Sequence, residues 1–185
     1  MEALEVLHTR VSAPRLEAPA PTQEQLSQLY RAAFRANDHA LLRPWRFIEI
    51  KEEKLVDLGL LYEKAALSDQ SDLSDEVRAK YRAMPLRAPL MLVAVVSPKE
   101  HEKVPEVEQI LSTGGAIELM MAAAHAVAVG AMWRTGPMAY HPVVKQGLGL
   151  KGCEHIAGFI YLGTPTGKLK KVPELEIETF VTQWP

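Results

Sequence analysis

The apolar positions change period along the chain, and each change marks an element. Ala3, Leu4 and Leu7 form a short helical stripe that fades by Arg10. Pro14, Pro19 and Pro21 follow. Each fixes its own backbone and restricts its predecessor, so an extended arm is expected there. Thr22 and Gln25 form a capping box ahead of a helix striped by Leu26, Leu29, Ala33 and Phe34. The turn RANDHALLRP (35–44) then opens onto a strand over 46–50. Residues 52–83 read as one or two polar helices broken near Ser68 to Ser74, with the weakest core signal in the chain, as suits a mobile cover.

The run PLMLVAVV (89–96) is continuously apolar, the pattern of a strand buried on both faces. A long helix is expected from Glu106 to Val129, and its second half, GGAIELMMAAAHAVAVG, is apolar nearly all round. Such a helix is expected to be enclosed by protein on every side, with Gly130 as its C′ residue. AMWRT reads as a short strand, HPVVKQGL as a short helix and HIAGFIYLGTP as a strongly apolar strand. The tail from Gly167 carries Phe180, Val181 and Trp184 and is too apolar for a free end.

Helices and strands alternate irregularly, which predicts an α+β or mixed α/β sheet wrapped by helices in one domain spanning 1–185. A chain of this length buries roughly 70% of its unfolded surface. Its 48% hydrophobic and 24% charged residues are a globular mixture. A net charge of −2 supplies no basic field for nucleic acid. No apolar stretch reaches the ~18 residues of a membrane span, and the N-terminus has no leader pattern. With a lone Cys153, the expected setting is the cytosol.

GLGLKG (147–152) matches the dinucleotide fingerprint in letters only, because a helix precedes it and a strand follows. It reads instead as a helix cap and turn. The six histidines show no metal spacing. His125 reads as a hydrogen-bonded core residue and Glu100-His101-Glu102 as a surface loop. Asp38 and His39 suit a base and its orienter, but nothing in the sequence brings Cys153 to them. Three clusters remain: Arg10, Ser12 and Arg15; Arg35, His39, Arg43 and Arg46; and Trp133, Arg134, Thr135 and Gly136. Together they offer cations and hydroxyls suited to a phosphate, and amides and an aromatic suited to a planar ring.

The blocks that carry these clusters resemble the nitroreductase superfamily, specifically its small single-domain bacterial NAD(P)H nitroreductases. They are the opening MEALEVLHTRVSAPRL, then R-A-x-D-H…R-P-W-R-F, P-L-x-x-V-V, K-V-P-E-x-E-Q, A-M-W-R-T-G and G-F-x-Y-L-G-T-P, in order and nearly end to end. The resemblance implies a homodimer with two FMN sites at the subunit interface, a mixed sheet, a long central helix and a C-terminal extension embracing the partner. It implies that Arg10, Val11 and Ser12 contact FMN, that Arg35 and His39 come from the other subunit, and that Trp133, Arg134 and Thr135 line the flavin. Flavin N5 then carries the chemistry, with no indispensable side-chain acid or base. NADH or NADPH serves as donor and a nitroaromatic, quinone or similar small molecule as oxidant, in ping-pong order. The alternatives are a flavin-binding sensor or carrier, a degenerate scaffold, and a dehalogenase or dehydrogenase on the same fold. Val11 stands where many relatives have a second Arg, and Asn37 where proline is common. Both departures are expected to weaken FMN binding.

Overall fold

A computed structural model describes residues 2–184. In chain order its elements are α1 (Ala3–Thr9), β1 (Leu16–Glu17), α2 (Gln23–Ala33), β2 (Trp45–Lys51), α3 (Glu53–Asp69), α4 (Asp75–Ala83), β3 (Leu90–Val96), α5 (Glu106–Ala126), β4 (Gly130–Arg134), α6 (Pro137–Tyr140), α7 (Pro142–Gly147) and β5 (His155–Pro165). The α+β class and the helical wrapping are as expected. The sheet runs β1-β5-β3-β2, with β4 also laddered to β5. A mixed sheet was expected, but every ladder among the described residues is antiparallel.

β3 is buried along its whole length, and its alternation divides the core. Met91, Val93 and Val95 face Leu55, Leu58 and Tyr62 of α3. Leu90, Leu92 and Ala94 face Leu29 of α2 and Ile117 and Met120 of α5. The capping box opens α2 as the sequence predicts: Gln25 N–H donates to Thr22 Oγ1 at 3.2 Å, and Thr22 N–H donates to Gln25 Oε1 at 2.9 Å.

Residues 52–83 are not a loose cover. α3 contributes Leu55, Leu58, Tyr62 and Ala65 to the core, and its buried Glu63 is held by Arg78 at 2.7 Å and Arg82 at 2.8 Å from α4. Those guanidiniums hold the Glu63 carboxyl below the usual carboxylate range, with the Arg78 hydrogen bond the largest cause. The polar residues that mask this segment in the sequence are its clamp.

α5 also departs from expectation. It ends at Ala126, and its left-handed C′ residue is Ala128 (φ 58°) rather than Gly130, which begins β4. Val129 N–H donates to Ala124 O at 2.8 Å and Ala128 N–H to His125 O at 3.1 Å, the pair of bonds of a Schellman cap. Nor is the helix enclosed. Ala116, Ile117, Met120 and Ala124 are buried, while Val107, Ile110, Leu111 and Leu119 face outward. The tail lies as open as this stripe, with Phe180, Val181 and Trp184 all exposed.

Candidate functional site

Buried polar side chains fix the frame of the site. Gln109 of α5 donates to Lys99 O and accepts from Lys99 N–H, both at 2.8 Å, and Thr113 donates to Pro44 O at 3.1 Å. The first two bonds tie α5 to the segment after β3, and the third locks it against the turn before β2. Arg46 makes two 2.7 Å bonds to Glu154, which is 1% exposed and also accepts from Lys151 N–H at 2.8 Å. The Arg46 hydrogen bond, chiefly, takes the Glu154 carboxyl down to about 2 against the opposing effect of burial. Arg46 therefore leaves the cluster of free cations. Its charge is spent on joining β2 to the turn before β5.

The turn from Asp38 to Pro44 is held in a strained shape. Ala40, Leu41 and Arg43 have φ of 60°, 56° and 50°, a left-handed conformation costly for residues with a Cβ. Asp38 Oδ2 accepts from Arg43 N–H at 2.7 Å, which fastens the turn that follows Asn37. Asp38 does not orient His39. The His39 ring instead meets Glu108 of α5 at 2.6 Å. Cys153 is exposed and joins no catalytic pair. His125 is only half-buried and bonds to Thr9 Oγ1 at 3.0 Å, so it is not a core residue.

Ala13 N–H donates to Ala131 O at 2.9 Å, which lays Arg10, Val11 and Ser12 beside the start of β4. All three are half-buried. Arg10 and Ser12 have no side-chain partner among the described residues, nor has Arg15. At the far end of β4, Trp133 Nε1 donates to Ala157 O at 3.2 Å. A register shift between Ala94 and Val95 sets Ala157 outside the β3 ladder. Gly158 is required here, because a Cβ would run into the Trp133 indole and the Arg134 carbonyl. Arg134 lies over the Tyr161 ring at 5.7 Å, and Gly136 turns the chain with φ 122° into α6.

Within one chain the structure joins residues 10–12 to β4 and leaves Arg35 and His39 apart from them. Arg35 lines a hollow of about 910 Å³ with Phe34, Arg43 and Trp45. His39 borders a second hollow with Leu111, Gly115 and Glu118 of α5. Trp133 borders a third, of about 860 Å³, formed by the same three α5 residues. The exposed face of α5 thus runs between Trp133 and the 35–39 turn. Sequence reasoning missed Glu108, Glu154, Tyr62 and Arg87. Of these, Glu108 lies in the quoted K-V-P-E-x-E-Q block and Arg87 sits between prolines ahead of β3; the other two carried no signal. Among the described residues no group of three or more His, Cys, Asp or Glu could hold a metal ion. No described helix is long and apolar enough to cross a membrane.

The nitroreductase family model matches residues 8–164. The protein YdjA of Escherichia coli K12, provisionally named an NAD(P)H nitroreductase, is 42% identical over 165 residues, 89% of each chain. A Haemophilus influenzae protein provisionally given the same activity is 33% identical over 185 residues, 98% of this chain and 99% of that one. Two solved structures show the same fold. A nitroreductase-like family protein from Bacillus cereus superposes with a TM-score of 0.84 at 19% identity, covering 100% of this chain and 96% of the other. A nitroreductase with bound FMN from Bacteroides fragilis superposes with a TM-score of 0.75 at 19% identity, covering 100% of both.

Proposed function

This chain belongs to the nitroreductase family, and on that premise we propose that it is an FMN-dependent oxidoreductase. It takes electrons from NADH or NADPH and delivers them in pairs to a small oxidant, a nitroaromatic or a quinone. The reading rests above all on the open apolar face of α5, bordered by Trp133 on one side and by Arg35 and His39 on the other. A second copy of the chain that covers this face brings its Arg35 and His39 toward the Arg10–Ser12 and Trp133–Thr135 clusters. The functional unit is then a homodimer with two sites, each chain contributing one FMN-binding domain, working in the cytosol where reduced nicotinamide is supplied.

The donor set fits the cofactor. Arg10, Ser12 and Arg15 offer charge and a hydroxyl without partners of their own among the described residues, as a phosphate or polyol requires. Trp133, packed over Gly158, offers an apolar wall for a planar ring, and Arg134 and Thr135 offer main-chain groups. Val11 contributes its backbone alone. When bound, FMN supplies the two-electron chemistry. With FMN bound, Arg10 or Arg15 would offset the negative charge that reduction adds, and solvent would provide the proton. Donor and oxidant occupy the same space in turn, which gives a ping-pong order.

The test is the visible spectrum of the purified protein before and after anaerobic NADH or NADPH. A bound flavin that bleaches rapidly is the expected result. A flavin that stays oxidised makes the protein a carrier or sensor, and a colourless protein that refuses added FMN overturns the site.

A further inference from the structure

A cavity of about 450 Å³ lies on the α3 side of the sheet at the end of β4, within the range of small-ligand pockets. Its wall is unusual in composition. It carries the rings of Tyr62, Tyr81, Phe159 and Tyr161, two guanidiniums, Arg87 and Arg134, and no carboxylate. Neither Arg has an ion-pair partner among the described residues, although both act on the same ring. Arg134 stands over Tyr161 at 5.7 Å, and burial raises the Tyr161 pKa while the charges of Arg87 and Arg134 oppose that rise. Two like charges gathered at one aromatic pocket repel each other unless an anion sits between them.

Tyr62 adds an independent observation. It is 2% exposed, its ring meets Phe159 edge-on at 5.7 Å, and its buried hydroxyl has no hydrogen-bond partner among the described residues. A buried hydroxyl left unpaired costs about 1–3 kcal/mol. Such a group is kept where something else completes it. Met132 and Arg134 of β4 line it from the sheet face opposite the Trp133 indole.

We propose that this cavity binds an aromatic molecule bearing a carboxylate, on the face of the sheet opposite the proposed flavin site. Arg87 and Arg134 hold the carboxylate, the tyrosine and phenylalanine rings enclose the ring, and the Tyr62 hydroxyl bonds to a polar substituent. This assignment does not rest on the flavin reading above.

The test is calorimetric titration of the full-length, FMN-loaded protein with 4-nitrobenzoate and, separately, 4-nitrobenzyl alcohol. The carboxylate is expected to bind at least about tenfold more tightly, the scale of one charge-assisted hydrogen bond. Arg87→Ala should bring the two ligands to near parity, Arg87→Lys should restore part of the preference, and Tyr62→Phe should weaken nitrobenzoate severalfold. Equal binding by the wild type, or a preference that survives Arg87→Ala, overturns the proposal. So does loss of FMN from Arg87→Ala, which would mean that the arginines hold the cofactor's phosphate instead. If the protein proves to carry no flavin at all, the flavin reading fails, and the same titration on the flavin-free chain still decides the cavity.

Discussion

The two sides of the sheet share the strand residues of β3 in alternation, yet they finish differently. On the α3 side the chain closes its own core: Leu58 and Tyr62 are buried, and the Glu63–Arg78–Arg82 clamp fastens α4 behind them. On the α5 side the helix buries one face and leaves Ile110 and Leu111 open, Leu111 at 69% exposure, beside an open tail. Contiguous apolar surface of this kind marks an interface. One side closes the core of a single chain; the other, on the reading proposed above, meets a second copy, and the proposed flavin site falls there.

The largest effect should come from charging the open side. Ile110→Asp with Leu111→Asp should raise the dimer dissociation constant by at least about a hundredfold, as loss of central anchors does, and release FMN while leaving the monomer folded. Sedimentation and circular dichroism would check both halves; a dimer that persists breaks the comparison. Leu58→Ala is the counterpart on the closed side. It should cost about 3 kcal/mol in urea unfolding and leave the association state unchanged.

Arg46→Ala sharpens the account at the joint between the strands. It strands the buried Glu154 carboxylate and should destabilise by about 2–3 kcal/mol at neutral pH. Because Glu154 titrates at about 2 in the fold and near 4.5 in the unfolded chain, its contribution is complete above the higher value and is lost as pH falls through the lower. The gap between wild type and variant should therefore close between those two values in acid titrations, and a constant gap contradicts the ion pair. The smallest effect is a gain. Ala128→Gly relieves a left-handed alanine at the α5 cap and should stabilise by about 0.5–1 kcal/mol in thermal melts.

Much of this was legible in the sequence wherever the determinant is local. The Thr22–Gln25 box, the doubly buried β3 and the helix before GLGLKG are set by neighbours within a few residues. What was hidden depends on distant partners. Arg46 and Glu154 lie 108 positions apart, so Arg46 read as a free cation. Glu63 looked like surface because burial of a carboxylate is invisible until Arg78 and Arg82 are seen to reach it. Periodicity marks α5 as apolar but cannot say whether its second face meets its own core or another chain. The same limit applies to Arg35 and His39, whose separation from Arg10 in one chain only a structure reveals.

The most direct test of the account follows the protein by sedimentation velocity with simultaneous detection of protein and flavin absorbance. The account predicts that flavin travels only with a dimer, at one FMN per subunit, and that dilution releases flavin in step with monomer. Flavin sedimenting with a stable monomer would contradict it, because one chain would then suffice to build the site.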